Sequence, residues 1–113
     1  MMLDWEQYRQ QLLTTMQEIG KTAPDVVRGY RIIGEGAAKL GKLDAKTREL
    51  ISLAVAVTAR CDGCITTHVE AAARNGATKE EVVEALAVAI QVNTGAALVY
   101  SARTLDAFAA RVT

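Results

Sequence analysis

The chain has 113 residues, half of them hydrophobic and only 4% aromatic, and it sets 13 Lys and Arg against 13 Asp and Glu. That length suits one domain spanning 1–113, and zero net charge speaks against nucleic acid, which demands a basic face. Abundant alanine, few aromatics and a single proline, Pro24, favour helices over a sandwich or barrel. A domain this small buries only about two-thirds of its unfolded surface, so contacts between copies are expected to help. The opening Met1-Met2-Leu3-Asp4 lacks the basic-then-apolar order of a secretory signal. The longest apolar run, Leu50 to Ala59, is too short to span a bilayer. A cytoplasmic location, with no membrane partner, is therefore expected.

Strand-like alternation is absent, and the pattern predicts an all-α bundle of about six helices that oligomerises. Trp5, Tyr8, Leu12, Met16 and Ile19 recur at helical steps, giving an N-terminal helix over about 3–20 that stops at Gly20. Pro24 suits the first turn of a second helix, which should carry Val27, Tyr30, Ile33 and Ala37 inward and end at Gly41. Asp44 is placed to cap a third helix running through Leu50, Leu53 and Val57 to about Ala59. A fourth begins near Cys61 and stops at Asn75-Gly76. Thr78 with Glu81 forms a capping-box pattern that opens a fifth through Val82, Leu86 and Ile90. Asn93-Thr94-Gly95 should break or bend that helix before a last one through Leu98, Ala102, Leu105 and Ala109. The third and fifth helices are apolar on more than one side, which points to burial against another subunit.

The two cysteines and the one histidine of the chain, Cys61, Cys64 and His68, all fall within residues 61–68. Cys64 and His68 are four apart and share a helix face. Cys61 stands at the helix's N-terminal edge, where unpaired N–H groups favour negative charge and lower a thiol's pKa. The segment thus offers an activated thiol, a second thiol within disulfide reach and a base. A structural disulfide here would close a very short loop and add only about 2 kcal/mol. Haem attachment wants the histidine directly after the second cysteine, where Ile65 stands. Zinc could take three ligands from Cys61, Cys64 and His68, but structural zinc draws on a second knuckle that this chain lacks. An inert pair beside a satisfied histidine is the remaining reading. Redox chemistry is preferred in a reducing compartment, and a thioredoxin fold is excluded because no strand precedes the motif.

Glu49 shares an inward stripe with Leu53 and Ala56, either as an ordinary first-turn glutamate or as an orienting partner for His68. Helical rise places Glu49 about 18 Å before Cys61 and His68 about 10 Å past it. A simple antiparallel return therefore calls for a bridging water, an oblique crossing or a partner on another subunit.

Glu49, eleven intervening residues and then Cys61-x-x-Cys64-x-x-x-His68 resemble the signature of the alkylhydroperoxidase AhpD-like branch of the carboxymuconolactone decarboxylase superfamily. The similarity extends over about 24–108, through Leu43 to Ile51 and through Asn75 to Val82. It implies an all-α fold assembled as homotrimers or homohexamers, and a peroxidase in which Glu49 and His68 relay protons to the cysteines. By the same resemblance, Cys64 attacks the peroxide and becomes a sulfenic acid, and Cys61 condenses with it. A dithiol or thioredoxin-like donor then reduces the disulfide, with no resident cofactor or metal and a peroxide or small electrophile as substrate. Asp62 and Gly63 stand between the cysteines, where the better-studied peroxidase carries a histidine. The expected function is a thiol-dependent peroxidase or disulfide reductase. A carboxymuconolactone decarboxylase-type lyase and a non-enzymatic redox-sensing or stress-response oligomer are the alternatives. Decarboxylase-type members generally lack the cysteine pair.

Overall fold

The computed structural model describes residues 1–112. Among them are five helices and no strand: α1 (Trp5–Thr22), α2 (Pro24–Lys39), α3 (Ala45–Ala59), α4 (Asp62–Arg74) and α5 (Lys79–Val112). Each boundary has a local cause. The Asp4 carboxylate accepts from Gln7 N at 3.0 Å and caps α1. That helix runs through Gly20, because one glycine only weakens a helix, and ends at Ala23, whose helical conformation is disfavoured by the following Pro24. Pro24 opens α2, and Gly41, at φ +66°, turns the chain beyond its end. The Asp44 carboxylate accepts from Thr47 N at 2.8 Å and starts α3 as anticipated.

The α3–α4 junction matters most for the site. Arg60 N–H donates to Val57 O and Cys61 N–H to Ala56 O, closing a Schellman turn with Arg60 in the left-handed region at φ 56°. The same arrangement ends α4, with Gly76 at φ +82° in the left-handed position. The predicted capping box then appears in full: Thr78 N donates to the Glu81 carboxylate at 2.9 Å, and Glu81 N to Thr78 Oγ1 at 3.1 Å.

The predicted fifth and sixth helices are one helix of 34 residues, α5. Asn93 Nδ2 donates to Ala89 O at 2.8 Å and Thr94 Oγ1 to Ile90 O at 2.8 Å. These side chains fold back onto carbonyls of the preceding turn, so neither competes with the backbone ladder. By length and composition, the continuous α5 is long and apolar enough to cross a membrane.

α3 packs mainly on α4 and α5, while α1 packs on α2 and α4. The small core sits at these contacts: Leu53 and Ala56 of α3, Thr66 and Ala72 of α4, and Ala89 of α5. Alanines at the contacts let the helix axes approach closely. The expectation that Tyr30, Ile33 and Ala37 face inward is not met: Tyr30 is 67% and Ile33 76% exposed, and Ala37 is exposed as well. α2 leans on α1, and Tyr30 and Ile33 stand largely uncovered by the described residues. A compact chain of this length has a radius of gyration of about 13 Å. This one measures 18.5 Å, because α5 continues past the body.

Candidate active site

The Schellman turn delivers Cys61 to the N-cap of α4. Its Sγ accepts a hydrogen bond from Cys64 N at 3.1 Å, so the first turn of the helix points an N–H at this sulphur. The Cα atoms of Cys61 and Cys64 lie 5.2 Å apart, and the two sulphurs are joined as a disulfide. Both cysteines are half-buried. On one side they are covered by α1. A β-carbon built on Gly63 would stand 2.7 Å from Leu12 Cδ2, so the absent side chain between the cysteines is what admits α1 so closely. Arg9 Nε to the Glu70 carboxylate, at 2.9 Å, and Thr66 Oγ1 to Trp5 O, at 3.5 Å, fix α1 along α4.

His68 stands one turn beyond Cys64 on α4. Its Nδ1 lies 2.7 Å from the Glu49 carboxylate on α3, within the same chain, and the two side chains are 27% and 22% exposed. An ionised carboxylate only accepts, so Nδ1 carries the proton and Nε2 is left as the basic nitrogen. The bond is direct and needs neither a water nor a neighbouring subunit. α3 ends at Ala59 as expected, and the rises from Glu49 to Ala59 and from Asp62 to His68 differ by about 6 Å, which two long side chains span.

The four sequence-predicted residues therefore form two joined pairs, Cys61 with Cys64 and Glu49 with His68. No hydrogen bond among the described residues links His68 to either sulphur. Residues at i and i+4 keep about 5–6 Å between their β-carbons, so Cys64 and His68 are neighbours on one face of α4. The Glu49–His68 pair lines a groove of about 300 Å³ between α2, α3 and α4. Two residues beside the site were not anticipated. Leu12 carries no local signal, since its contact with Gly63 is purely tertiary. Arg48 was legible only as a neighbour of Glu49, yet it also lines the groove.

A helical hairpin presenting a cysteine pair at one helix end and a glutamate–histidine pair across it defines the class of protein. The sequence pattern of the carboxymuconolactone decarboxylase family matches residues 24–107, and the chain belongs to that family. α1 precedes the matched stretch. A solved carboxymuconolactone decarboxylase family protein from Legionella pneumophila is 35% identical and covers 92% of this chain and 93% of its own, with a TM-score of 0.74. A protein from Methanobacterium thermoautotrophicum superposes with a TM-score of 0.68 at 33% identity, over 74% of this chain and 94% of that one. An uncharacterized protein from Haemophilus influenzae is 46% identical over 108 residues, 96% of both chains. One from Cupriavidus necator is 33% identical over 90 residues, 80% of both. The close cysteine pair accords with the AhpD-like branch.

Proposed function

We propose that this protein is a thiol-dependent peroxidase of the alkylhydroperoxidase type, or a disulfide reductase, that works through its Cys61–Cys64 pair. The observation that carries the reading is the Cys61–Cys64 disulfide at the N-terminus of a helix that holds His68 one turn further on. In the reduced protein, the Cys64 thiolate attacks one oxygen of a hydroperoxide. The O–O bond breaks, the alcohol leaves with a proton, and Cys64 becomes a sulfenic acid. The Cys61 sulphur then displaces that hydroxyl as water and forms the disulfide. An external dithiol supplies two electrons and two protons, attacks Cys64, and releases Cys61 as a thiolate. The Cys64 N–H and the helix terminus stabilise that leaving group, which speeds exchange.

His68 Nε2 serves as the base that takes the Cys64 proton and returns it to the leaving oxygen, while Glu49 fixes the ring through Nδ1. No resident cofactor or metal enters the scheme. A cytoplasmic setting suits it, since a reducing compartment makes a close cysteine pair a working couple rather than a permanent staple. The apolar length of α5 left exposed supports association with further copies, and homotrimers or homohexamers are the assemblies proposed. The test is hydroperoxide consumption with a dithiol donor: wild type turns over and Cys64→Ser does not. Wild-type turnover in Cys64→Ser overturns the reading.

A further inference from the structure

On the peroxidase reading, the groove beside the relay is where a substrate would be selected. Arg48 lines the same groove as Glu49 and His68 and is the one arginine or lysine there. Its Nη1 donates to Leu43 O at 2.6 Å, and Leu43 O is the only partner its guanidinium has among the described residues. The Glu49 carboxylate is taken by His68 Nδ1. Asp44 is near enough for the Arg48 charge to help lower its pKa, but that carboxylate accepts from Thr47 N and pairs with no arginine. Ser52 Oγ donates to the Arg48 carbonyl oxygen at 2.9 Å and so leaves the guanidinium alone.

An arginine anchored through one nitrogen, with the rest of its fork unpaired, is pre-organised for a planar anion. Gly34 and Ala37 of α2, with Ile51 one turn along α3, give the groove an apolar lining, and His68 stands within the same groove. About 300 Å³ is the small end of ligand-sized cavities. We infer that Arg48 is a specificity-determining residue that binds a carboxylate on the substrate, so that the preferred hydroperoxide is a small acid with an apolar body. Its carboxylate sits on the Arg48 fork, its chain lies along Gly34, Ala37 and Ile51, and its reactive end faces His68.

The experiment compares a medium-chain hydroperoxy fatty acid with its methyl ester on the full-length protein. A charge-assisted hydrogen bond to an arginine is worth about tenfold or more in affinity, so wild type is expected to favour the acid by about that factor in kcat/KM, through a lower KM. Arg48→Gln erases the preference, and Arg48→Lys, which keeps charge but not the fork, retains part of it. Equal use of acid and ester by wild type overturns the proposal whatever the variants do, as does a preference that survives in folded Arg48→Gln. Should neither hydroperoxide be consumed, the peroxidase reading fails, and binding alone decides the role of Arg48. Hexanoate, but not hexanol, should then shift the imidazole NMR signals of His68 in wild type. No shift with hexanoate sinks the inference on that arm too.

Discussion

His68 Nδ1 and the Glu49 carboxylate meet at 2.7 Å across the α3–α4 junction, and that bond sets which imidazole nitrogen is free. Glu49→Gln keeps the shape but no longer enforces the tautomer, so Nε2 becomes the protonated nitrogen in part of the molecules. His68→Ala removes the base altogether. General-base catalysis is worth about a hundredfold or more, so His68→Ala is expected to lose about that factor in peroxide kcat/KM, and Glu49→Gln about tenfold. Titration of the reduced thiols provides the companion measurement. A Cys64 pKa unaffected by His68→Ala would remove the imidazole from the relay.

The two sulphurs differ in surroundings, and their roles can be separated by single-turnover chemistry. In Cys61→Ser the resolving thiol is gone, so one equivalent of hydroperoxide should leave a sulfenic acid on Cys64 that a cyclic diketone traps, with mass spectrometry locating the adduct. Cys64→Ser should give no such adduct. An adduct on Cys61 in Cys64→Ser, formed as fast, would exchange the two roles. That outcome has a physical route, because Cys61 Sγ already accepts the Cys64 N–H at the helix terminus.

What the sequence made legible follows from the range of each interaction. The Asp44 cap, the Thr78–Glu81 box and the left-handed glycines 41 and 76 each act within a few residues, and all stand where their patterns place them. The 34-residue α5 was not legible, because Asn93 and Thr94 are common at breaks and only their actual bonds to Ala89 and Ile90 show them to be harmless. The helical period correctly marks one apolar face of α2, but a period cannot say what covers that face; Tyr30 and Ile33 point away from the chain's own core. At the site, the spacing grouped Cys61, Cys64 and His68 and singled out Glu49, but helical rise alone could not say that Glu49 meets His68 directly. The Arg60 turn is a left-handed residue at a position with no glycine to announce it.

The Leu12–Gly63 contact is the tightest approach of α1 to the cysteine segment. Gly63→Ala puts a methyl 2.7 Å from Leu12 Cδ2, and rotation of the leucine can relieve it, while alanine's better helix propensity works in the opposite direction. A melting temperature near wild type is expected. Gly63→Val adds a branched side chain that rotation of Leu12 cannot clear, and overpacking of that kind costs about 1–3 kcal/mol. Leu12→Ala should recover part of this loss in the double variant. Additive effects of the two substitutions in thermal melts would show that α1 does not seat on Gly63 in solution.

Acid should loosen the corner where α3 and α5 begin. Lys46 Nζ lies 2.8 Å from the Glu81 carboxylate, and this pairing, with the Thr78 N–H, lowers the Glu81 pKa below its ordinary 4.5. Bonding to Thr47 lowers Asp44 below its ordinary 3.8. A depressed carboxylate contributes stability that is complete above its unfolded value and is lost as pH falls through the folded one. Lys46, raised above 10.5 by Glu81, contributes below that value and loses its part as pH rises past it. The melting temperature should therefore be flat near neutrality, fall below about pH 4.5 and fall again in strong alkali. Asp44 is exposed and Lys46 and Glu81 are partly exposed, so the acid slope should weaken in 1 M salt and flatten in Asp44→Ala/Glu81→Gln. An acid slope identical in that double variant would assign it to other carboxylates.

The outer half of α5 gives the sharpest test of assembly. Leu98, Leu105 and Phe108 are 75%, 71% and 64% exposed in the single chain, an apolar row at helical spacing that the described residues leave largely uncovered. If a second copy covers it, light scattering should return a mass several times that of one chain, without detergent. Leu105→Glu/Phe108→Glu should then dissociate the assembly. Full burial of each large apolar side chain is worth about 1.5–3 kcal/mol, so the pair should weaken association by about a hundredfold or more. The dissociated variant should keep its helical circular dichroism signal, because neither residue belongs to the core of Leu53, Ala56, Ala72 and Ala89. Wild type that stays monomeric without detergent excludes assembly through this row. Wild type that instead partitions into lipid vesicles assigns α5 to a membrane, a role its length and composition allow.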